Sequence, residues 1–216
     1  MVEISKRDWK LFRERVPDWQ ERYMEQLTKE YIEILDNKSQ RLKKLTEDLV
    51  EASKVSTGNI SLNLEKINIV ELIKQASGEF EDKFQKRGLQ TIIDSKENEI
   101  NIMADSRYMY RIIENLFSNV AKYALEDSRV YVDIKNEKTE PTPNCVIEIK
   151  NISKDRLNIS ADELMQRFVR GDKSRNTEGS GLGISIAQNL TELQNGKFNL
   201  KLDGDLFKVE LIFETI

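Results

Sequence analysis

Two short stretches of this 216-residue chain combine residue types that could bind a phosphorylated ligand. The first is FVRGDKSRNTEGSGLGISIAQNL, residues 168–190, in which basic residues precede closely spaced glycines. Glycine allows main-chain N–H groups to approach a ligand closely, and the N-terminus of the helix predicted from Gly183 onward favours an anion. The basic residues would form a mobile lid over that anion. A flexible loop with ordinary solvated charges is the alternative that spacing leaves open. The basic residues are Arg170, Lys173 and Arg175, and the glycines are Gly179, Gly181 and Gly183.

The second stretch is ENLFSNVAKYA, residues 114–124. On a helix, Asn115, Asn119 and Lys122 would share one face because they are spaced i, i+4, i+7. Carboxamide oxygens suit Mg²⁺, and a lysine one turn further on could neutralise phosphate charge. An ordinary solvated polar face explains the same periodicity.

Composition narrows the classes of function. A net charge of −4 with both signs interspersed, and 38% hydrophobic residues, predict a soluble cytoplasmic protein without broad nucleic-acid binding. The sequence contains neither an apolar run long enough to cross a membrane nor a signal peptide ahead of Trp9. Cys145 stands in an alternating apolar segment, which predicts a buried, reduced thiol. The chain contains no histidine, which excludes imidazole on this chain as a base, metal ligand or phosphoryl acceptor.

Residues 1–58 predict a helical segment. Ser5 and Asp8 resemble a capping start, and Pro17 with Asp18 predicts an interruption before a longer helix over 21–57. Apolar residues of that helix recur mostly at three and four positions, which favours a homodimer seam over packing on its own domain. These residues are Leu27, Tyr31, Leu35, Leu42, Leu45, Leu49 and Ala52.

Residues 59–216 predict a second domain of mixed structure. Strands and helices that do not alternate one for one indicate an α+β, two-layer sandwich, with a mixed but mostly antiparallel sheet and helices on one face. Asp203-Gly204-Asp205 between two alternating segments predicts a hairpin. The predicted helices are 70–87, 107–124 and one from Gly183, and the predicted strands are 89–93, 99–103, 130–134, 145–149, 198–202 and 207–213.

Taken together, these motifs resemble a known family. The pattern N-x-x-x-N-x-x-K-Y followed by R-G-D…E-G-S-G-L-G-I-S-I-A is similar to the ATP-binding catalytic domain of sensor histidine kinases. That domain has the Bergerat-type fold shared with gyrase, a mismatch-repair ATPase and a heat-shock chaperone. RLKKLTEDLVEAS (41–53) resembles the second helix of the kinase dimerisation domain, and INIVELI (67–73) and MADSRYMYRIIENL (103–116) resemble parts of the ATP-binding domain. The resemblance runs from about residue 40 to the end of the sequence.

The resemblance implies roles for residues of the asparagine helix. Asn119 would be the Mg²⁺ ligand, and Asn115 would support the phosphate side of the site. Lys122 would contact phosphate and Tyr123 would pack near adenine. Glu114 stands where related ATPases keep a carboxylate near the attacking group.

Further roles are implied for the lid and the glycine loop. Phe168 would anchor the lid, and Arg170 would reach the γ-phosphate and stabilise charge during phosphoryl transfer. The residues that would shape the loop around the triphosphate are Gly179, Gly181, Leu182 and Gly183.

Two departures from the family pattern stand out. In KNISKDRLNIS (150–160), Asn151 occupies the place of the aspartate that accepts a hydrogen bond from the adenine amino group. The carbonyl oxygen of Asn151 can still accept, but without charge. The segment before residue 28 does not resemble the phosphoacceptor helix.

The family therefore implies an Mg·ATP-dependent kinase domain that would phosphorylate a histidine on another polypeptide, such as a kinase partner, in a pathway with a response regulator. Two alternatives remain open: a catalytically inactive nucleotide-binding scaffold, and a serine kinase of the anti-sigma type. The sequence does not decide between a natural histidine-free protein and a fragment or fusion, which would be the soluble part of a membrane sensor kinase.

Overall fold

The computed structural model describes residues 6–56, 61–138, 142–158, 160–170 and 182–216. The chain divides into two compact units, Met1–Thr46 and Glu47–Ile216. Helix α1 spans Lys6–Ser56. None of the helices in the described ranges is long and apolar enough to cross a membrane.

Helix α1 is continuous through Pro17 and Asp18, so the predicted interruption is wrong. A proline inside a helix removes one hydrogen bond and costs about 3 kcal/mol. The flanking residues are rich in Glu, Arg, Lys, Gln and Leu, which are strong helix formers and offset that cost. The predicted cap at Ser5 lies outside the described residues.

Several apolar side chains of α1 are exposed in the isolated chain. Tyr31, Leu35 and Leu42 are 64%, 67% and 65% exposed. They belong to the predicted dimer seam, and dimerisation through this helix stays a prediction.

The second unit contains the sheet and the remaining helices. Its elements are β1 (Glu65–Asn68), α2 (Ile69–Gln85), β2 (Gln90–Ser95), β3 (Asn101–Ala104), α3 (Ser106–Tyr123), β4 (Arg129–Glu137), β5 (Asn144–Ile152), α4 (Ala161–Arg170), α5 (Gly183–Leu193), β6 (Lys197–Asp203) and β7 (Leu206–Glu214).

The main sheet has five strands in the order β2-β4-β5-β7-β6. Only the β2–β4 pairing is parallel, and the other three pairings are antiparallel. This confirms the predicted α+β sandwich with a mostly antiparallel sheet. Strand β3 pairs instead with β1 in a separate two-stranded sheet, and β1 had no predicted counterpart because four residues are too few to show a periodicity.

One face of the sheet is covered by α2, α3 and α5. Strand residues on that face are fully buried, among them Val132 on β4 and Ile147 on β5. The rings of Phe80, Phe84 and Phe117 join α2 to α3, with centroids 5.7–5.8 Å apart. Cys145 is fully buried on the same face, which confirms the predicted environment, and burial raises the pKa of its thiol to about 12.

The opposite face carries rows of charge that pair across the strands. Glu148 on β5 is 8% exposed and lies among Lys135, Lys150 and Lys208. Burial opposes ionisation of Glu148, but the hydrogen bonds and charges of Lys208 and Lys135 outweigh it and lower its pKa to about 2. Ion pairs across the strands therefore stabilise this face of the sheet.

Candidate functional site

Helix α3 begins at a buried aspartate. Asp105, which is 1% exposed, caps the helix by accepting a hydrogen bond from Arg107 N at 3.1 Å. Its other oxygen accepts from Asn63 N at 2.9 Å. The hydrogen bond from the Arg107 side chain is the main cause that lowers the pKa of Asp105 to about 2. The start of α3 is thus fixed by a charged cap that also contacts the segment at Asn63.

Helix α3 is amphipathic, and its polar face contains the predicted site residues. Asn119, Lys122 and Tyr123 are half-buried. Glu114 is also half-buried, and its carboxylate lies 2.6 Å from the guanidinium of Arg111. The apolar face, which packs on the sheet and on α2, comprises Met109, Ile112, Ile113, Leu116, Phe117 and Val120.

Asn115 joins the asparagine helix to the glycine segment. Its side chain is nearly buried, and its Nδ2 donates to Arg111 O at 2.9 Å. The first residue of α5, Gly183, packs directly on it, because a Cβ at Gly183 would lie 3.0 Å from Asn115 Oδ1. Tertiary structure therefore brings together two predicted site residues that are far apart in the sequence.

Helix α5 begins at Gly183, as the sequence predicted. Within the described part of the chain, no side chain caps this helix; Ser185 Oγ donates instead to Leu182 O at 2.7 Å. The first turn contains no acidic residue. The N-terminus of a helix offers N–H groups and the positive end of its dipole to an anion. Gly179 and Gly181 lie outside the described residues.

Phe168 and Arg170 lie in helix α4, which was not predicted from the sequence, and the lid itself stays a prediction. The sequence contained a signal for this helix. Ser160 Oγ accepts a hydrogen bond from Glu163 N at 3.1 Å, and Ser160 followed by Glu163 is a capping-box pattern. The side chains of Phe168 and Arg170 are outside the described part, as are Lys173 and Arg175.

The end of strand β5 lies beside the end of α3. Lys154 N donates to Tyr123 O at 2.8 Å, and Lys154 Nζ lies 5.8 Å from the centroid of the Tyr123 ring. Leu125 N donates to Ile152 O, also at 2.8 Å. These bonds place Asn151, at the end of β5, close to the last turn of the asparagine helix.

Asn151 has a buried acceptor that is not used by the described residues. The residue is 3% exposed, and its Nδ2 donates to Ile152 O at 3.1 Å. Its Oδ1 is buried and has no hydrogen-bond partner in the described ranges. A buried acceptor in this state costs about 1–3 kcal/mol, which a donor on a ligand would recover. The residue therefore fits a ligand that offers an N–H group, as the adenine amino group does.

Asn136 offers a useful contrast. Its Oδ1 is also buried without a partner among the described residues. Asn136 pairs with Cys145 near the β4–β5 hairpin, at the opposite end of the sheet from Asn151. Of these two asparagines, Asn151 is the one that lies beside α3.

The metal prediction depends on carboxamides and not on a cluster of acidic residues. In the described ranges, no group of three or more His, Cys, Asp or Glu residues could hold a metal ion. Mg²⁺ is commonly held by few protein groups together with nucleotide phosphates, which is the arrangement predicted for Asn119.

Comparison with known proteins identifies the family. The family model described as histidine kinase-, DNA gyrase B- and HSP90-like ATPase matches residues 104–214, just over half of the chain. The chain belongs to this family. Its second unit is an ATP-binding catalytic domain of the histidine-kinase type.

Individual relatives agree with the family match. The probable sensor protein PcoS of Escherichia coli is 26% identical over 179 residues, which cover 81% of this chain and 37% of PcoS. The chain spans less than half of the length of the curated relatives it matches most strongly.

Solved structures share the fold. The histidine kinase AdeS of Acinetobacter baumannii has a TM-score of 0.65 at 16% identity, covering 80% of this chain and 78% of AdeS. The histidine kinase ThkA, solved in complex with the response regulator protein TrrA, has a TM-score of 0.64 at 19% identity, covering 86% of this chain and 51% of ThkA. Both are kinases with the sandwich found here.

Proposed function

We propose that this histidine-kinase-type domain binds Mg·ATP and transfers the γ-phosphoryl group to a histidine on another polypeptide, as part of a two-component signalling system. The observation that carries the proposal is the packing of Gly183 on Asn115, 3.0 Å from a built Cβ to Oδ1. This packing joins the N-terminus of α5 to a helix that presents carboxamides and a lysine. Such a combination suits a triphosphate with its counterion.

Each candidate residue has a role in this proposal. Asn119 would hold Mg²⁺, which when bound would neutralise phosphate charge, and Asn115 would orient the phosphate side of the site. Lys122 and Arg170 would stabilise charge on the transferring group. Glu114 would lie near the attacking histidine.

The base and the glycine loop complete the site. Asn151 would accept a hydrogen bond from the adenine amino group through Oδ1, beside Tyr123. Leu182 and Gly183, with Gly179 and Gly181, would surround the triphosphate, and Phe168 would anchor the segment that follows α4.

In this proposal the phosphoryl acceptor is a histidine on another chain, because the sequence contains no histidine. A neutral imidazole would attack with its nitrogen lone pair as the bond from the γ-phosphorus to the bridging oxygen breaks and ADP leaves. The ring proton would then be lost from the charged phosphoimidazole, and Glu114 is the candidate acceptor. A kinase partner bearing the histidine, a response regulator and a second copy bound through residues 21–57 are the proposed partners, in the cytoplasm.

A catalytically inactive nucleotide-binding scaffold is the second candidate. The neutral Asn151 in place of a carboxylate, together with the absence of histidine from the sequence, favours it. The two candidates share nucleotide binding and differ in phosphoryl transfer.

The first experiment is thermal unfolding with and without millimolar ATP and Mg²⁺. Ligand at about 100 times its Kd stabilises a protein by about 2.7 kcal/mol. For a protein of this size that corresponds to a rise in Tm of roughly 5–10 °C. No shift would contradict nucleotide binding in either candidate.

Replacement of the proposed metal ligand separates specific from general effects. Asn119→Ala should abolish the part of the shift that depends on Mg²⁺, whereas the neighbouring Ser118→Ala should retain it. An unchanged Mg²⁺ dependence in Asn119→Ala would refute the metal assignment.

Transfer is tested with labelled ATP and a separate histidine-bearing dimerisation domain. Acid-labile label on that domain supports the kinase. Nucleotide binding without transfer supports the scaffold. Acid-stable label on a protein substrate would instead indicate a serine kinase.

A further inference from the structure

Arg87 lies in the turn after α2 and reaches across to the C-terminal end of α3. Its Nη1 donates to Ala121 O at 2.5 Å, and its Nη2 donates to Ala124 O at 2.8 Å. A helix leaves its last carbonyl groups without intrahelical donors, and the C-terminal end of its dipole favours a cation. The guanidinium of Arg87 satisfies both requirements with two charge-assisted hydrogen bonds.

The two carbonyls need this donor because the chain turns away at the end of α3. Leu125 N would continue the helix by donating to Ala121 O, but it donates to Ile152 O instead. Arg87 takes its place at Ala121 O. The final turn of α3 is thus held from two sides, by Arg87 on one and by the end of β5, through Leu125 and Lys154, on the other.

Arg87 is itself held in a defined position. Its backbone carbonyl accepts from Asp127 N at 3.1 Å, and the next residue, Gly88, adopts a φ of +65°. A Cβ at Gly88 would lie 2.1 Å from Asp127 Oδ1, so the loops after α2 and α3 pack without room for a side chain there. The guanidinium therefore extends from a closely packed junction.

The ion pair between Arg87 and Glu126 is secondary. The closest atoms are 3.4 Å apart, and the Glu126 side chain is 69% exposed. Exposed ion pairs contribute little to stability. Arg87 therefore acts mainly through its hydrogen bonds to the carbonyl groups of Ala121 and Ala124.

We infer that Arg87 is a positioning residue for the nucleotide site. Its guanidinium donates hydrogen bonds to the carbonyl groups of Ala121 and Ala124, the residues on either side of Lys122 and Tyr123. These bonds fix the last turn of α3, which would orient the Lys122 side chain toward phosphate and the Tyr123 side chain toward the base. The inference rests on the proposed function, since it assigns Arg87 to the same site. No sequence motif indicated Arg87, because its partners are carbonyl groups that have no residue signature.

The test compares Arg87→Ala and Arg87→Lys with the matched control Glu126→Gln. The dissociation constant of Mg·ATP is measured by calorimetry well below the Tm of each variant, where the protein is folded. We expect Arg87→Ala to raise Kd about tenfold, the loss typical of removing a residue that orients a binding group. Arg87→Lys should recover only part of this, because one ammonium cannot span both carbonyls in the fork geometry of a guanidinium. Glu126→Gln should bind as wild type.

A double-mutant cycle distinguishes positioning from a general loss of stability. If Arg87 acts through the last turn of α3, Arg87→Ala should weaken binding much less in a Lys122→Ala background than in wild type. Hydrogen exchange of residues 119–125 should also be faster in Arg87→Ala, with residues 106–113 unchanged.

The outcomes separate the two levels of the argument. Wild-type protein that fails to bind Mg·ATP would refute the proposed function and this inference with it. Wild-type binding with an unchanged Kd in folded Arg87→Ala, or fully additive effects in the cycle, would refute the role of Arg87 alone.

Discussion

Replacing Gly183 by alanine tests the junction between the glycine segment and the asparagine helix. The added methyl group would lie 3.0 Å from Asn115 Oδ1 and 3.7 Å from its Cγ. Ordinary contact begins at about 3.4 Å, so one partner must move by a few tenths of an ångström. The Asn115 carboxamide is held by Arg111 O, so the adjustment must distort that hydrogen bond or shift the start of α5.

The expected effect on stability is small because two terms oppose each other. Alanine is favoured over glycine in a helix by up to about 1 kcal/mol, and overpacking costs about 1–3 kcal/mol. We therefore expect Gly183→Ala to lower the free energy of unfolding by no more than about 2 kcal/mol. Nucleotide binding depends directly on the displaced groups, and in catalysis a misplacement of about 1 Å can lower the rate about a hundredfold. A shift of a few tenths of an ångström should raise the Kd of Mg·ATP by about tenfold, or about 1.4 kcal/mol.

Gly78→Ala is the matched control. Gly78 lies on the exposed side of α2, and a Cβ there would meet nothing within 4 Å. This variant should be more stable by about 0.5–1 kcal/mol and should bind nucleotide as wild type. Urea unfolding gives the stability of each variant, and calorimetry at low temperature gives the affinity. Wild-type affinity in Gly183→Ala would refute the assignment of Asn115 and the α5 N-terminus to the phosphate side.

Two further predictions concern Asn151 and the charged face of the sheet. Asn151→Leu removes a buried acceptor that has no partner among the described residues, so the free protein should keep its stability within about 1 kcal/mol while its affinity for ATP falls about tenfold or more. As the control, Asn136→Leu should leave the affinity for ATP unchanged. Wild-type affinity for ATP in Asn151→Leu would show that Asn151 Oδ1 does not accept a hydrogen bond from adenine. The folded protein lowers the pKa values of the Glu148 and Asp105 carboxyl groups to about 2, below their values in the unfolded chain. The ionised carboxylates therefore stabilise the folded protein above about pH 4.5, and this stabilisation is lost as pH falls from about 4.5 to 2. Glu148→Gln should be less stable than wild type at pH 7 by about 2 kcal/mol, and the difference should vanish in urea unfolding near pH 2; a difference that is constant with pH would contradict this linkage.

Much of the fold follows from local sequence. The 3.6-residue period of α3 and the alternation of β4, β5, β6 and β7 are visible in the chain, because each element buries one face. The turn at Gly204, with a φ of +56°, was predicted by Asp203-Gly204-Asp205 and connects β6 to β7. The separate motifs of the proposed nucleotide site and the resemblance to the family can also be recognised in the sequence, because they depend on residue type and short spacing.

Other features were decided only by tertiary structure. Helix α1 continues through Pro17 because many neighbouring turns outweigh one lost hydrogen bond. The contact between Gly183 and Asn115 and the hydrogen bonds from Arg87 to α3 join segments that are distant in the sequence. The burial of Asn151 Oδ1 without a partner among the described residues likewise follows from packing and not from local sequence. Residue type determines what each group can donate, accept or accommodate, but the packing of helices on the sheet determines which groups meet. For that reason the sequence predicts the chemistry of this domain, whereas the packing of the fold determines which residues position the proposed site.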